Sequence, residues 1–124
     1  MEFVFTPEQE SFRQELRQFL QRELPADAGG MDEGEGGEQW EFAKAFQRKL
    51  AAQGWLVPQW PKEYGGANMG IIEQLILQEE MAYRRAPIPG SSGIRMLGPI
   101  LMLYGTEEQK RENLPGIASG EVIW

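Results

Sequence analysis

The chain has 124 residues, 41% of them apolar, and contains neither cysteine nor histidine, which suits one globular domain with a real core. That composition excludes disulfides, thiol nucleophiles, thiolate metal sites and histidine-based acid–base or metal chemistry. The net charge of −7 is uneven: residues 25–38 hold five acids, five glycines and no base, and the remaining 14 acids against 12 bases leave a body at −2.

Taken in chain order, Thr6 opens the first helix, with Pro7 at its first position and Gln9 completing a capping box. Phe12, Leu16, Phe19 and Leu20 share one helix face, and Pro25 stops the helix. Residues 25–38 then read as a flexible, solvated acidic loop. A second helix is expected from about Glu38 to Gln53, with a stripe of Trp40, Ala43, Phe46 or Gln47, Leu50 and Ala51, and Gly54 as a left-handed stop.

In GWLVPQWPKEYGG, Pro58 and Pro61 forbid a helix, and Gly65-Gly66 allow backbone angles closed to other residues. The glycine pair lacks the Lys-Ser/Thr of a phosphate loop and follows no predicted strand. The third helix is expected over roughly Met69 to Arg84, with Ile72, Leu75, Ile76 and Tyr83 on one face and Leu77 and Met81 opposite. Glu79 falls within the first stripe. A carboxylate there is either a catalytic acid or base, or a structural group paired with an arginine or capping a neighbouring helix.

Ala86-Pro87-Ile88-Pro89-Gly90 is a stiff connector, and Ser91 or Ser92 can cap the next helix. Ile94, Met96, Leu97 and residues 100–104 make that helix apolar nearly all round, the pattern of a buried helix or of the wall of an apolar ligand pocket. Pro99 frees the Arg95 carbonyl and bends or splits it. Thr106 and Gln109 form a second capping box. Leu114-Pro115 is expected to break the last helix, a short turn follows to Gly120, and Val122-Ile123-Trp124 reads as the start of a β-strand of a longer chain. The fold class is therefore all-α: residues 1–124 as a single helical domain, an orthogonal or up-down bundle of about five to six helices ending at the start of a strand. No apolar run approaches the ~18 residues of a membrane span, no basic leader precedes Phe3, and no clustered basic face suits nucleic acid.

GTEEQKRENLPGIASGE, at residues 105–121, resembles the signature near the end of the N-terminal domain of flavin-dependent acyl-CoA dehydrogenases. WPKEYGG, followed by the Glu-Glu-Met-Ala step at 79–82, resembles the mid-domain pattern of that family, and Phe5 through Leu20 resembles its first helix. The resemblance implies an N-terminal helical domain of a three-domain enzyme that carries FAD and dehydrogenates an acyl-CoA thioester between its α and β carbons, passing hydride to the flavin. It implies cytoplasmic lipid metabolism of the fatty-acid β-oxidation type, an electron-transfer acceptor and a homo- or hetero-oligomer, either tetramer or dimer. The flavin contacts and the catalytic carboxylate would lie in the middle and C-terminal domains, so no catalytic, cofactor-binding or metal residue is expected here, and Glu79 is not the family's base. What the resemblance assigns to these residues is one wall of the acyl pocket: Ser91, Ser92, Arg95 and Met96, with Pro87 and Ile88 at the approach. Arg95 departs from a plain fatty-acyl lining and either reaches solvent or meets a polar acyl group. Two other readings remain: a self-sufficient helical interaction module, and a non-catalytic subunit of a hetero-oligomeric dehydrogenase.

Overall fold

Thr6 and Gln9 start the first helix as the sequence dictates. In the computed structural model, which describes residues 4–24 and 37–124, the Thr6 hydroxyl accepts from the Gln9 N–H at 3.2 Å and the Gln9 side chain accepts from the Thr6 N–H at 2.8 Å. Apart from Gly37 and Glu38, the acidic loop read at 25–38 lies outside the described residues. These residues fall into two compact units, one of residues 4–24 with 70–86 and one of residues 37–69 with 87–124.

The first unit pairs α1 (Pro7–Glu23) with α3 (Ile71–Tyr83). Leu16, Phe19 and Leu20 of α1 are buried, as are Ile76, Leu77, Glu80 and Met81 of α3. Of the stripe expected around Glu79, the core face of α3 therefore takes in only Ile76. Leu75 is 47% exposed and Tyr83 84% exposed, and the Glu79 side chain is 59% exposed against 7% for Glu80. Two sides of this helix are apolar, and periodicity alone does not rank them. The Leu77–Met81 side is buried, and it takes Glu80 inward with it. Arg85 closes α3 at a φ of +51°, in the position where glycine is usual, and the N–H groups of Arg85 and Ala86 bond back to Ala82 and Met81.

The second unit is built from α2 (Glu38–Ala52), a 3₁₀ turn at Lys62–Tyr64, α4 (Gly98–Tyr104) and α5 (Glu107–Ser119). Ala43, Phe46, Gln47 and Leu50 form the buried face of α2, and Gly54, at φ +80°, reverses the chain after it. The proline-rich stretch that follows lies inward: Trp55, Leu56, Val57 and Trp60 are all buried. Residues 91–104 form one helical run interrupted by a π turn at Gly93–Leu97. The α5 helix packs on α2, on α4 and on both turns.

Two expectations fail in this unit. Pro115 does not break α5, which continues to Ser119. Pro115 and Arg111 are exposed, so water can satisfy the Arg111 carbonyl that the proline leaves unbonded, while Leu114, Ile117 and Ala118 hold the other side by burial. The 91–104 run is also not buried all round, because Met96, Ile100, Leu103 and Tyr104 are exposed. Val122–Trp124 carry no regular structure, and there is no strand among the described residues.

The second capping box is present at α5, with Thr106 accepting from the Gln109 N–H at 3.1 Å and Gln109 accepting from the Thr106 N–H at 3.0 Å. Thr106→Ala is expected to cost about 1 kcal/mol, read as a lower urea midpoint with an unchanged denaturant slope.

Candidate functional site

The sequence-predicted wall residues are all on or beside the helical run of the second unit. Pro99 has no N–H, so the run cannot keep its α-helical bond to Arg95. One residue earlier the ladder widens: the Gly98 N–H reaches back five residues to the Gly93 carbonyl. Ser92, Arg95 and Met96 are exposed, whereas Ser91 and Ile88 are half-buried. Met96 (64%), Ile100 (55%) and Leu103 (75%) are the exposed apolar members, spaced by four and three residues as on one helix face. Among the described residues Arg95 makes no ion pair. Ile100 and Leu103, two residues the resemblance did not assign to the wall, are exposed on the same run as Ser92, Arg95 and Met96.

The inner side of the run is held by close contacts at glycines. A Cβ at Gly93 would lie 3.1 Å from the Trp124 ring, and one at Gly98 only 2.2 Å from Cζ2 of Trp60. Ahead of the run, Gln47 is buried and bonded at both ends of its amide. Its Oε1 accepts from the Gly90 N–H at 2.7 Å and its Nε2 donates to the Gly120 carbonyl at 3.1 Å. The sequence pattern left Phe46 and Gln47 as alternatives on the α2 stripe; both are inside, and a buried amide flanked by core residues was the available signal for this clamp.

The first unit holds a charged cluster. Arg13 donates to Glu80 at 2.6 Å and to Glu79 at 3.0 Å, and Arg17 donates to Glu80 at 3.0 Å. The Arg13 guanidinium is held above its ordinary value, first by the hydrogen bond to Glu79, against desolvation, and then by Glu80. A cavity of about 630 Å³ opens beside these groups, lined also by Tyr83 and Arg84. Each carboxylate is committed to a guanidinium, so the arginine-pairing reading of this region holds, centred on Glu80 with Glu79 at its exposed edge.

No group of three or more acidic ligands able to hold a metal ion occurs among the described residues. The glycine pair is filled by protein: a Cβ at Gly65 would meet Ala118 at 2.8 Å and one at Gly66 the Trp60 carbonyl oxygen at 2.0 Å. The glycine pair therefore offers no open cradle for a flavin phosphate. A second groove of about 550 Å³ lies beside Tyr64, Lys110 and Arg111. Lys110 is held above its ordinary value, chiefly by its hydrogen bond to Glu107.

Residues 6–121 match the family model described as acyl-CoA dehydrogenase, N-terminal domain. The chain is 38% identical over 125 residues to acyl-CoA dehydrogenase FadE26 of Mycobacterium tuberculosis, a match covering 98% of this chain and 31% of that protein. It is 31% identical over 129 residues to the short-chain-specific acyl-CoA dehydrogenase of Clostridium acetobutylicum, covering 99% of this chain and 32% of that one. Among solved structures, the ChsE4–ChsE5 complex from Mycobacterium tuberculosis matches with a TM-score of 0.80 at 33% identity, over 98% of this chain and 30% of that one. The steroid acyl-CoA dehydrogenase Tcur3481–Tcur3483 also matches with a TM-score of 0.80, at 37% identity, over 99% of this chain and 32% of that one. The chain spans 31% of the length of the first of these curated relatives.

Proposed function

Because this chain belongs to the acyl-CoA dehydrogenase family, in the part its family model describes as the N-terminal domain, we propose that the enzyme containing it dehydrogenates an acyl-CoA thioester and that residues 91–104 form one wall of its acyl pocket. The observation that carries this reading is the exposed face of Met96, Ile100 and Leu103 beside Ser92 and Arg95, an apolar surface with polar groups at one end. The wall excludes water from the acyl chain, Met96 adapts to its shape, and Arg95, which makes no ion pair among the described residues, meets a polar group on it. Ser91 and Ile88 back the wall from their half-buried positions. Residues 1–124 act as a single helical domain, supported by one family model that runs from residue 6 to 121.

The flavin and the carboxylate that takes the α-proton belong, in this reading, to other parts of the enzyme, and no chemical step is assigned to the residues described here. A bulky acyl group and a hetero-oligomeric enzyme are supported by the relatives: one is described as a steroid enzyme and two as paired components. An electron-transfer acceptor and a cytoplasmic setting complete the proposal. In the described residues no helix is long and apolar enough to cross a membrane.

The test is turnover of a bulky and a short straight-chain acyl-CoA by the complete enzyme with a dye acceptor. Met96→Trp is expected to lower kcat/KM for the bulky thioester about ten-fold or more relative to the short one. Equal effects on both thioesters would remove Met96 from the wall, and no oxidation of any acyl-CoA would overturn the enzymatic reading.

A further inference from the structure

The helical run that carries Arg95 and Met96 does not set its own geometry. Its π turn leaves an irregular ladder, and the proline that follows offers no bond to correct it. Two buried side chains from residues 37–69 touch the run on either side of that turn. Gln47 holds Gly90 just ahead of it, and its Oε1 sits so close that a Cβ at Gly90 would approach within 2.7 Å. Trp60 lies against Gly98, the residue that closes the turn, with Cζ2 and Cη2 at 2.2 and 2.6 Å from where a Cβ would stand.

The choice of tryptophan is informative. Trp60 is 2% exposed, and among the described residues its Nε1 is the buried side-chain polar atom left without a hydrogen-bond partner. An orphaned buried donor is unfavourable, and a phenylalanine would avoid it. What a phenylalanine lacks is the outer edge of the benzo ring, the edge that reaches Gly98. The indole is thus suited to this position by its length, at the expense of one unsatisfied donor.

We infer that Trp60 and Gln47 are positioning residues for the acyl wall: they fix the π turn from both sides and thereby set which acyl groups Arg95 and Met96 admit. This rests on the reading of residues 91–104 as that wall. The arrangement predicts a reciprocal effect. Gly98→Ala alone collides with the indole, and Trp60→Phe removes the atoms it collides with, so the double variant regains room without regaining the original support.

The experiment uses the complete enzyme, with kcat and KM for a bulky and a short acyl-CoA, flavin content and melting temperature read for each variant. Trp60→Phe is expected to change the ratio of the two kcat/KM values by about ten-fold, mainly through KM, with flavin content retained. Gly98→Ala should lower the melting temperature, and Gly98→Ala with Trp60→Phe should recover it while leaving the acyl preference altered. Gln47→Leu, which removes both amide bonds, should alter the same ratio, and it serves as the independent variant if Trp60→Phe fails to fold. Variants that lose stability yet keep the original ratio would overturn the positioning role. A double variant no more stable than Gly98→Ala would overturn the contact on which it depends. If the unaltered enzyme oxidises no acyl-CoA, the acyl-wall reading itself fails and takes this inference with it, an outcome distinct from a preserved ratio.

Discussion

Glu80→Ala is expected to cost about 3 kcal/mol of stability, because it leaves the largely buried Arg13 short of a partner and strips Arg17 of its own. On a chain of this size that corresponds to a fall in melting temperature on the order of 10 °C. Glu80→Gln keeps the shape and one acceptor, and should recover part of the loss. Glu79→Gln, at a side chain 59% exposed, should cost less than about 1 kcal/mol. Thermal unfolding of the three variants checks the order. Equal losses at the two positions would mean that the carboxylates share one environment, contrary to their exposures.

Gly66→Ala should be at least as damaging, about 3 kcal/mol or more. A methyl group there would stand 2.0 Å from the Trp60 carbonyl oxygen and 2.4 Å from its carbon, and backbone cannot rotate aside as a side-chain tip can. Gly65→Ala meets a different obstacle. Its φ of +91° is a conformation that L-residues avoid, at about 1–2 kcal/mol, and its nearest contact is the Ala118 methyl at 2.8 Å. Gly65 is thus held by backbone angle together with space, and Gly66 by space alone. Denaturant titration should place Gly66→Ala below Gly65→Ala; the reverse order would show that the loop yields at Trp60.

That distinction marks what a sequence exposes and what it conceals. Both Thr-x-x-Gln starts were legible because a capping box is a local contact between residues three apart. The left-handed stop at Gly54 was legible for the same reason. The face of α3 was not, since Ile72 and Leu75 compete with Leu77 and Met81, and only packing decides between them. Pro115 misled because a proline ends a helix only when the freed carbonyl has no other partner, which depends on its exposure. Pro99 did announce an irregularity at Arg95. The π turn ends where Trp60 meets Gly98 from 38 positions away in the chain, a contact no local pattern encodes. Along residues 91–104, Ser92, Arg95 and Met96 are exposed, and so are Ile100 and Leu103, which the apolar pattern had grouped with a buried helix.

The two capping boxes have one further consequence. Each pairs a threonine hydroxyl with a glutamine amide, where the same motif often uses glutamate. Neither group gains or loses a proton across the working range, and neither carries a net charge for ions to screen. The opening hydrogen bonds of α1 and α5 therefore carry no charge for acid to titrate or for salt to screen.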